Sequence, residues 1–218
     1  YERQGVMTRL SRAVAVVAAA SLALTVAAAT AVPSTNAPLP TLDAVASAVA
    51  GKPVSVWCET RWADWIHVGD SIQDDWSFVN GFTVPSDPTI YLNPAICETL
   101  HAVLGREDVG LYHASLAIHV LVHEGVHQRG SSDEGVTDCT ALSLFKDVAI
   151  RWFGFTATED EAYTTTARRR VKVAPGRFAT VRQTVVRHRQ VPSRRLARAY
   201  DYAVRWHRSA PREYQGTC

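Results

Sequence analysis

The sequence predicts an α+β fold in which a small sheet packs on one long helix, followed by a mostly helical C-terminal part. Two short runs of strand character, at 54–57 and 89–92, precede the clearest helical stripe in the chain, at 111–128. Beyond that stripe the apolar spacing stays helical, which predicts the helical C-terminal part. The chain has 218 residues, 47% apolar and 20% charged, enough for one folded domain. That balance excludes a disordered, collagenous, coiled-coil or multi-span membrane protein.

Met7 opens a segment in which Arg9 and Arg12 precede an uncharged Ala/Val/Leu run over 13–28. Ala29-Thr30-Ala31 then offers a small-x-small cleavage site. Residues 1–31 are read as a secretory signal, with 1–6 an extension upstream of the start. A membrane anchor is the alternative, because the uncharged run reaches residue 32 and is about long enough to span. Its alanine-rich composition and the cleavage site favour removal, leaving no stable anchor. Residues 32–53 are then a lead-in, and 54–218 the folded domain. The expected destination is extracellular.

Within the lead-in, Leu42, Val45, Ala46 and Val49 are spaced as a short helix that stops at Gly51. Residues 54–57 read as a strand. Residues 76–84, broken by Asn80-Gly81, read as a hairpin on a type I′ turn. The strand at 89–92 closes at Asn93-Pro94, and 95–104 reads as a helix. The helix at 111–128 carries the stripe Leu111, Ser115, Ile118, Val122 and Val126, and Gly130 ends it. A second long helix over 133–153 turns Val136, Cys139, Leu142, Phe145 and Ala149 inward. Further helices are expected at 159–170, 177–189 and 193–208, separated by Pro175-Gly176 and Pro192.

Charge divides unevenly. Residues 32–150 hold 5 basic and 15 acidic side chains, and residues 151–218 hold 15 basic and 5 acidic. A basic helical arm for an anionic polymer, through 168–212, is one reading. The preferred one is that the halves dock and cancel, with the cations covering the outer faces of core helices. No nucleic-acid partner is expected. Cys58, Cys97, Cys139 and Cys218 show no CxxC spacing, which argues for disulfides over a zinc knuckle. Three pairings are possible. Cys58–Cys97 with Cys139–Cys218 is preferred, and loops of that length stabilise by roughly 3–4 kcal/mol each in the chain-entropy model.

The chemistry lies in His123-Glu124-Gly125-Val126-His127. Chance gives HExxH about 0.01 times in a chain with 8 His and 9 Glu among 218 residues. One helical turn separates the two imidazoles, so both can reach one ion, and Glu124 on the adjoining edge can take a proton from water. A catalytic zinc site needs a third protein ligand. Asp133, in a His127-x-x-Gly130-x-x-Asp133 spacing, is one candidate. Glu134, with Asp138 one turn on to orient a ligand histidine, is the other. Each has a plainer role: Ser131-x-x-Glu134 fits a capping box, and Asp133 suits a first helical turn. Glu134 is preferred, because Asp138 supports it and a carboxylate within a helix is held rigidly. His119, one turn before His123, extends the stripe as a cleft or supporting histidine. Trp57, Trp62, Trp65 and Trp76 read as core and rim aromatics rather than a carbohydrate platform.

The chain resembles a zincin-type metallopeptidase, and more narrowly small secreted HExxH proteins of actinobacteria. The resemblance rests on the HExxH, on Asp133-Glu134-Gly135-Val136-Thr137-Asp138-Cys139, on residues 89–97 and on Glu213-Tyr214-Gln215-Gly216-Thr217-Cys218. It covers about 54–150 and the C-terminal end. Gluzincins carry the same ExxxD, although their spacer after HExxH is longer. The resemblance implies a zincin-like fold with a mixed or antiparallel sheet, and an edge strand, expected at 89–92, that pairs with a peptide or protein substrate. It implies Zn2+, held by His123, His127 and Glu134, with Glu124 as general base. Tyr200, Tyr202, His207 and Tyr214 are chemically suited to stabilise an oxyanion. The alternative to a hydrolase is a zinc-stabilised binding protein of the cell envelope.

Overall fold

Side chains that satisfy free backbone N–H groups set where this chain turns helical. The computed structural model describes residues 41–70, 79–84, 86–210 and 218. The expected signal at 1–31 and the start of the lead-in lie outside them. Thr41 caps helix α1 (Leu42–Ala50) and Gly51 ends it at φ +70°. Strand β1 (Ser55–Cys58) follows, tied to α1 by the Asp43 carboxylate accepting from Val56 N–H at 2.7 Å. Helix α2 (Trp62–Asp70), in a stretch with no assignment from sequence, leads to strands β2 (Gly81–Thr83) and β3 (Thr89–Leu92). Asn93 caps α3 (Pro94–Leu104), whose first position is a proline that loses no hydrogen bond there.

The sheet has the order β1-β3-β2, with β1 parallel and β2 antiparallel to β3. It is mixed, as expected. However, β3 is the central strand and not the edge: its backbone pairs with β1 on one side and β2 on the other, and Ile90 and Leu92 are fully buried on one face. Gly81 is no turn residue either: it lies in β2 opposite Leu92 and has no positive φ. Residues 76–78 of the expected hairpin lie outside the described residues. Phe82 bridges the sheet to α2, stacking on Tyr91 with ring centres 4.7 Å apart and meeting buried Trp65 at 5.7 Å.

Helix α4 (Leu111–His127) occupies the middle of the molecule, buried on nearly every side from Ala114 to Val126. This surpasses the single stripe read from sequence. Helix α1 crosses it so closely that a Cβ on Gly125 would stand 2.7 Å from Val49 Cγ1. That contact explains a glycine in a helix interior, where it otherwise costs about 1 kcal/mol against alanine. The segment read as a lead-in thus supplies α1 to the core, with Val45 and Ala46 fully buried.

Helix α5 (Glu134–Trp152) packs along α4, starting at the N-cap Asp133, whose carboxylate accepts from Val136 N–H at 2.8 Å. Val136, expected inward, is exposed. The helix is rotated so that Thr137 and Asp138 face α4. Helix α6 (Arg194–Ser209), capped by Ser193, covers the same region with Leu196, Ala199, Ala203 and His207. Two disulfides, Cys58–Cys97 and Cys139–Cys218, tie β1 to α3 and α5 to the chain's end.

Between α5 and α6 the expected helices at 159–170 and 177–189 are absent. Strands β4 (Thr158–Ala174) and β5 (Arg177–Pro192) form one long antiparallel ribbon instead, closed at Pro175-Gly176 with Gly176 at φ +72°. The C-terminal part is therefore not mostly helical. β-Branched residues decide it: Thr164, Thr165, Thr166, Val171, Val185 and Val186 lose rotamer freedom in a helix and suit a strand. The basic residues between them do not cover core helices. They line a ribbon that packs mainly on itself.

Candidate metal centre

Three histidines, each one turn from the next, stand on α4: His119, His123 and His127. Across from them α5 presents Glu134 and, one turn on, Asp138. The short Gly130 loop between the helices, at φ +101°, brings the two faces together. Its geometry is fixed at both ends. Thr137 Oγ1 donates to Ser131, and the Gln128 carboxamide donates to the Asp87 and Thr89 carbonyls at 2.9 and 3.3 Å.

Asp138 is fully buried and gathers three imidazoles. His119 Nε2–H donates to Oδ1 at 2.6 Å, and His123 Nδ1–H donates to the same oxygen at 3.2 Å. His207 Nδ1–H, from α6, donates to Oδ2. Burial alone would raise the Asp138 pKa, yet His119 and His123 hold it well below the usual carboxylate range. His119 goes the other way, pushed down by burial despite its bond to Asp138. Its Nδ1 has no partner among the described residues.

A second cluster lies toward the surface. His127 Nδ1–H donates to the Ser131 carbonyl at 2.8 Å. With Asp138 and Ser131 engaging the Nδ1 sides, the Nε2 atoms of His123 and His127 face one another at 3.0 Å. Glu134 Oε2 completes the triangle, 3.1 Å from His123 Nε2 and 3.3 Å from His127 Nε2. Two lone pairs and a carboxylate aimed at one point call for positive charge there, from protons or from a cation. Burial resists charging His123, but Asp138 and Glu134 outweigh it and raise its pKa to about 10. His127 is raised for related reasons, against the same burial. Burial would raise Glu134 too, yet its two imidazole partners bring it down to about 2.

Glu124 lies beside this cluster, only 6% exposed, and burial raises its pKa. Strand β2 passes directly over it: a Cβ on Gly81 would stand 3.1 Å from Glu124 Cγ and 2.8 Å from Leu92 Cδ2. Only glycine lets the strand lie this close.

Among the described residues, three groups of side chains could hold a metal ion: His123/His127/Glu134, His119/His123/Asp138 and Cys139/His207/Cys218. In the last, both sulfurs are committed to a disulfide and offer no thiolate. The middle group is fully enclosed, and its carboxylate oxygen is occupied by the imidazoles themselves. The first is open, with the Glu134 side chain 34% exposed. Its members are those read from the sequence, and Asp133, the competing residue, is occupied as the α5 cap.

Of the residues suited to an oxyanion, Tyr200 packs on Phe145 and Lys146, and Tyr202 on Tyr112. His207 is bound to Asp138, and Tyr214 lies outside the described residues. The role of His207 was missed from sequence, although its position on the buried stripe Leu196–Ala199–Ala203 was a usable signal. Comparison with protein-family models gives no match, and comparisons with curated proteins and with solved structures give none either.

Proposed function

We propose that this chain is an exported zinc-dependent hydrolase, a peptidase, in which His123, His127 and Glu134 hold the ion and Glu124 is the general base. The observation that carries this reading is the convergence of two imidazole nitrogens and one carboxylate oxygen within 3.0–3.3 Å, beside a buried glutamate. Donors around a tetrahedral zinc at 2.0–2.2 Å stand roughly 3.3–3.6 Å apart, so a small outward shift of these side chains admits it. Two nitrogens and one oxygen leave the fourth position for water. Two disulfides fit an oxidising compartment, and no helix among the described residues is long and apolar enough to cross a membrane.

Zinc bound there would supply Lewis acidity, acidifying a water and polarising a carbonyl. The protein's own residues do the rest. Asp138 fixes the His123 ring by accepting its Nδ1–H, and the Ser131 carbonyl does the same for His127. Glu124, whose pKa burial raises, accepts the proton of the attacking water and returns it to the leaving amine. Strand β2 is one of the two outer strands of the sheet among the described residues, and it is the one that lies against Glu124. An extended peptide added along it would run past the general base.

The test is metal analysis of the purified chain with cleavage of a mixed fluorogenic peptide library. Glu124→Gln is expected to retain one zinc per chain and lose about 10²–10⁴-fold in rate. Glu134→Ala is expected to lose the metal, and Asp133→Ala to keep it. Zinc binding with no peptide cleavage by the native chain would favour the envelope binding protein.

A further inference from the structure

The β4–β5 ribbon has no part in the proposed chemistry, and its side chains are sorted. Strand β4 alone is 17 residues, so the ribbon extends for roughly 55 Å. Its base is neutralised: Glu161 pairs with Arg189 and Arg194, and Asp160 with His188. Its distal half is not. From residue 167 to 183 there are six basic side chains, Arg168, Arg169, Arg170, Lys172, Arg177 and Arg182, and no acidic one.

The register separates these residues by face. Arg168 lies opposite Arg182, Arg170 opposite Thr180, and Lys172 opposite Phe178, all on one side. The other side carries Ala167, Val171, Ala179 and Val181, with two cations, Arg169 and, beside the turn, Arg177. Near the turn, the register shift between Lys172 and Ala174 leaves Val173 out of the ladder, 62% exposed. Phe178, at 52%, lies beneath Arg170, whose guanidinium is 4.7 Å from the ring centre.

Two features here cost stability to the chain alone. Like charges directly opposed across a ladder repel, as Arg168 and Arg182 do. Valine and phenylalanine at a projecting tip are left in water. An anionic partner relieves the first, and an apolar phase relieves the second. A soluble polyanion offers only the charge. The interface of an anionic bilayer offers both, with headgroup charge beside acyl chains.

We propose that the distal half of this ribbon is a peripheral membrane-docking arm that binds anionic lipid, cations at the headgroups and Val173 and Phe178 in the interface. The arm acts whether or not the metal centre is catalytic.

The test uses the full chain in flotation with phosphatidylcholine vesicles containing about 30% phosphatidylglycerol, against phosphatidylcholine alone. Binding is expected only to the anionic vesicles, and it should weaken as salt rises. The triple variant Arg168→Gln/Arg170→Gln/Lys172→Gln is expected to lower partitioning about 10²-fold. Val173→Ser/Phe178→Ser, which keeps every charge, is expected to lower it by about tenfold or more. Both variants should keep the wild-type thermal transition and metal content. A chain with residues 166–184 replaced by Asn-Gly is expected not to float at all, and it serves if a point variant misfolds. Failure of the native chain to float overturns the proposal. So does an unchanged Val173/Phe178 variant displaced by inorganic polyphosphate, which would make the arm a polyanion binder. Self-association that depends on the same two residues would assign the tip to a second copy.

Discussion

The α4–α5–α6 hub and the β4–β5 ribbon adjoin in sequence and follow opposite physics. In the hub, polar groups are enclosed, and one carboxylate, Asp138, gathers imidazoles from two helices. In the ribbon, charged groups face water and the backbone ladder alone sets the shape. The hub derives its geometry from burial and the ribbon from local β propensity. A perturbation should therefore propagate in one and stay local in the other.

The largest expected effect is at Asp138. Its replacement by alanine leaves three imidazoles without their acceptor in the core, and should destabilise by about 3–5 kcal/mol. Denaturant unfolding of the metal-free chain measures it, and a loss below about 1 kcal/mol would end the claim that this carboxylate organises the hub. Next comes Gly125→Ala. Helix propensity favours alanine by about 1 kcal/mol, but the Val49 contact should outweigh it and leave a net loss of about 1–2 kcal/mol. The Val49→Ala/Gly125→Ala double variant should then be more stable than the two single losses added together. The smallest effect is expected from trimming the ribbon at 166–184. Because Ala157 and Ser193 already meet at its base, with Ser193 N–H donating to the Ala157 carbonyl at 3.0 Å, the hub should lose less than about 1 kcal/mol. A larger loss would mean that the ribbon supports the body after all.

The same contrast governs how far the sequence could be read. Helices α4 and α5 were legible because burial imposes a 3.6-residue spacing on apolar residues, and the HExxH and Glu134-x-x-x-Asp138 spacings lie within that period. The favoured cysteine pairing is the one the structure forms. The ribbon was misread because arginine, alanine and valine at its distal end also fit a helical spacing. With no buried face to arbitrate, the run of threonines and paired valines was the deciding signal. His207 was illegible as a partner of Asp138, since 69 residues separate them and only the packing of α6 brings them together. Gly81 was read as a turn because Asn-Gly is a turn signal. Its actual constraint, a side chain on another element, leaves no trace in local sequence.

That strand above Glu124 has a steric consequence. With β2 lying against Cγ of Glu124, a reactant served by the proposed general base would have to approach it from the remaining side. Any substituent at position 81 would press on that side chain, so the open direction at Glu124 is set by the one residue that carries none.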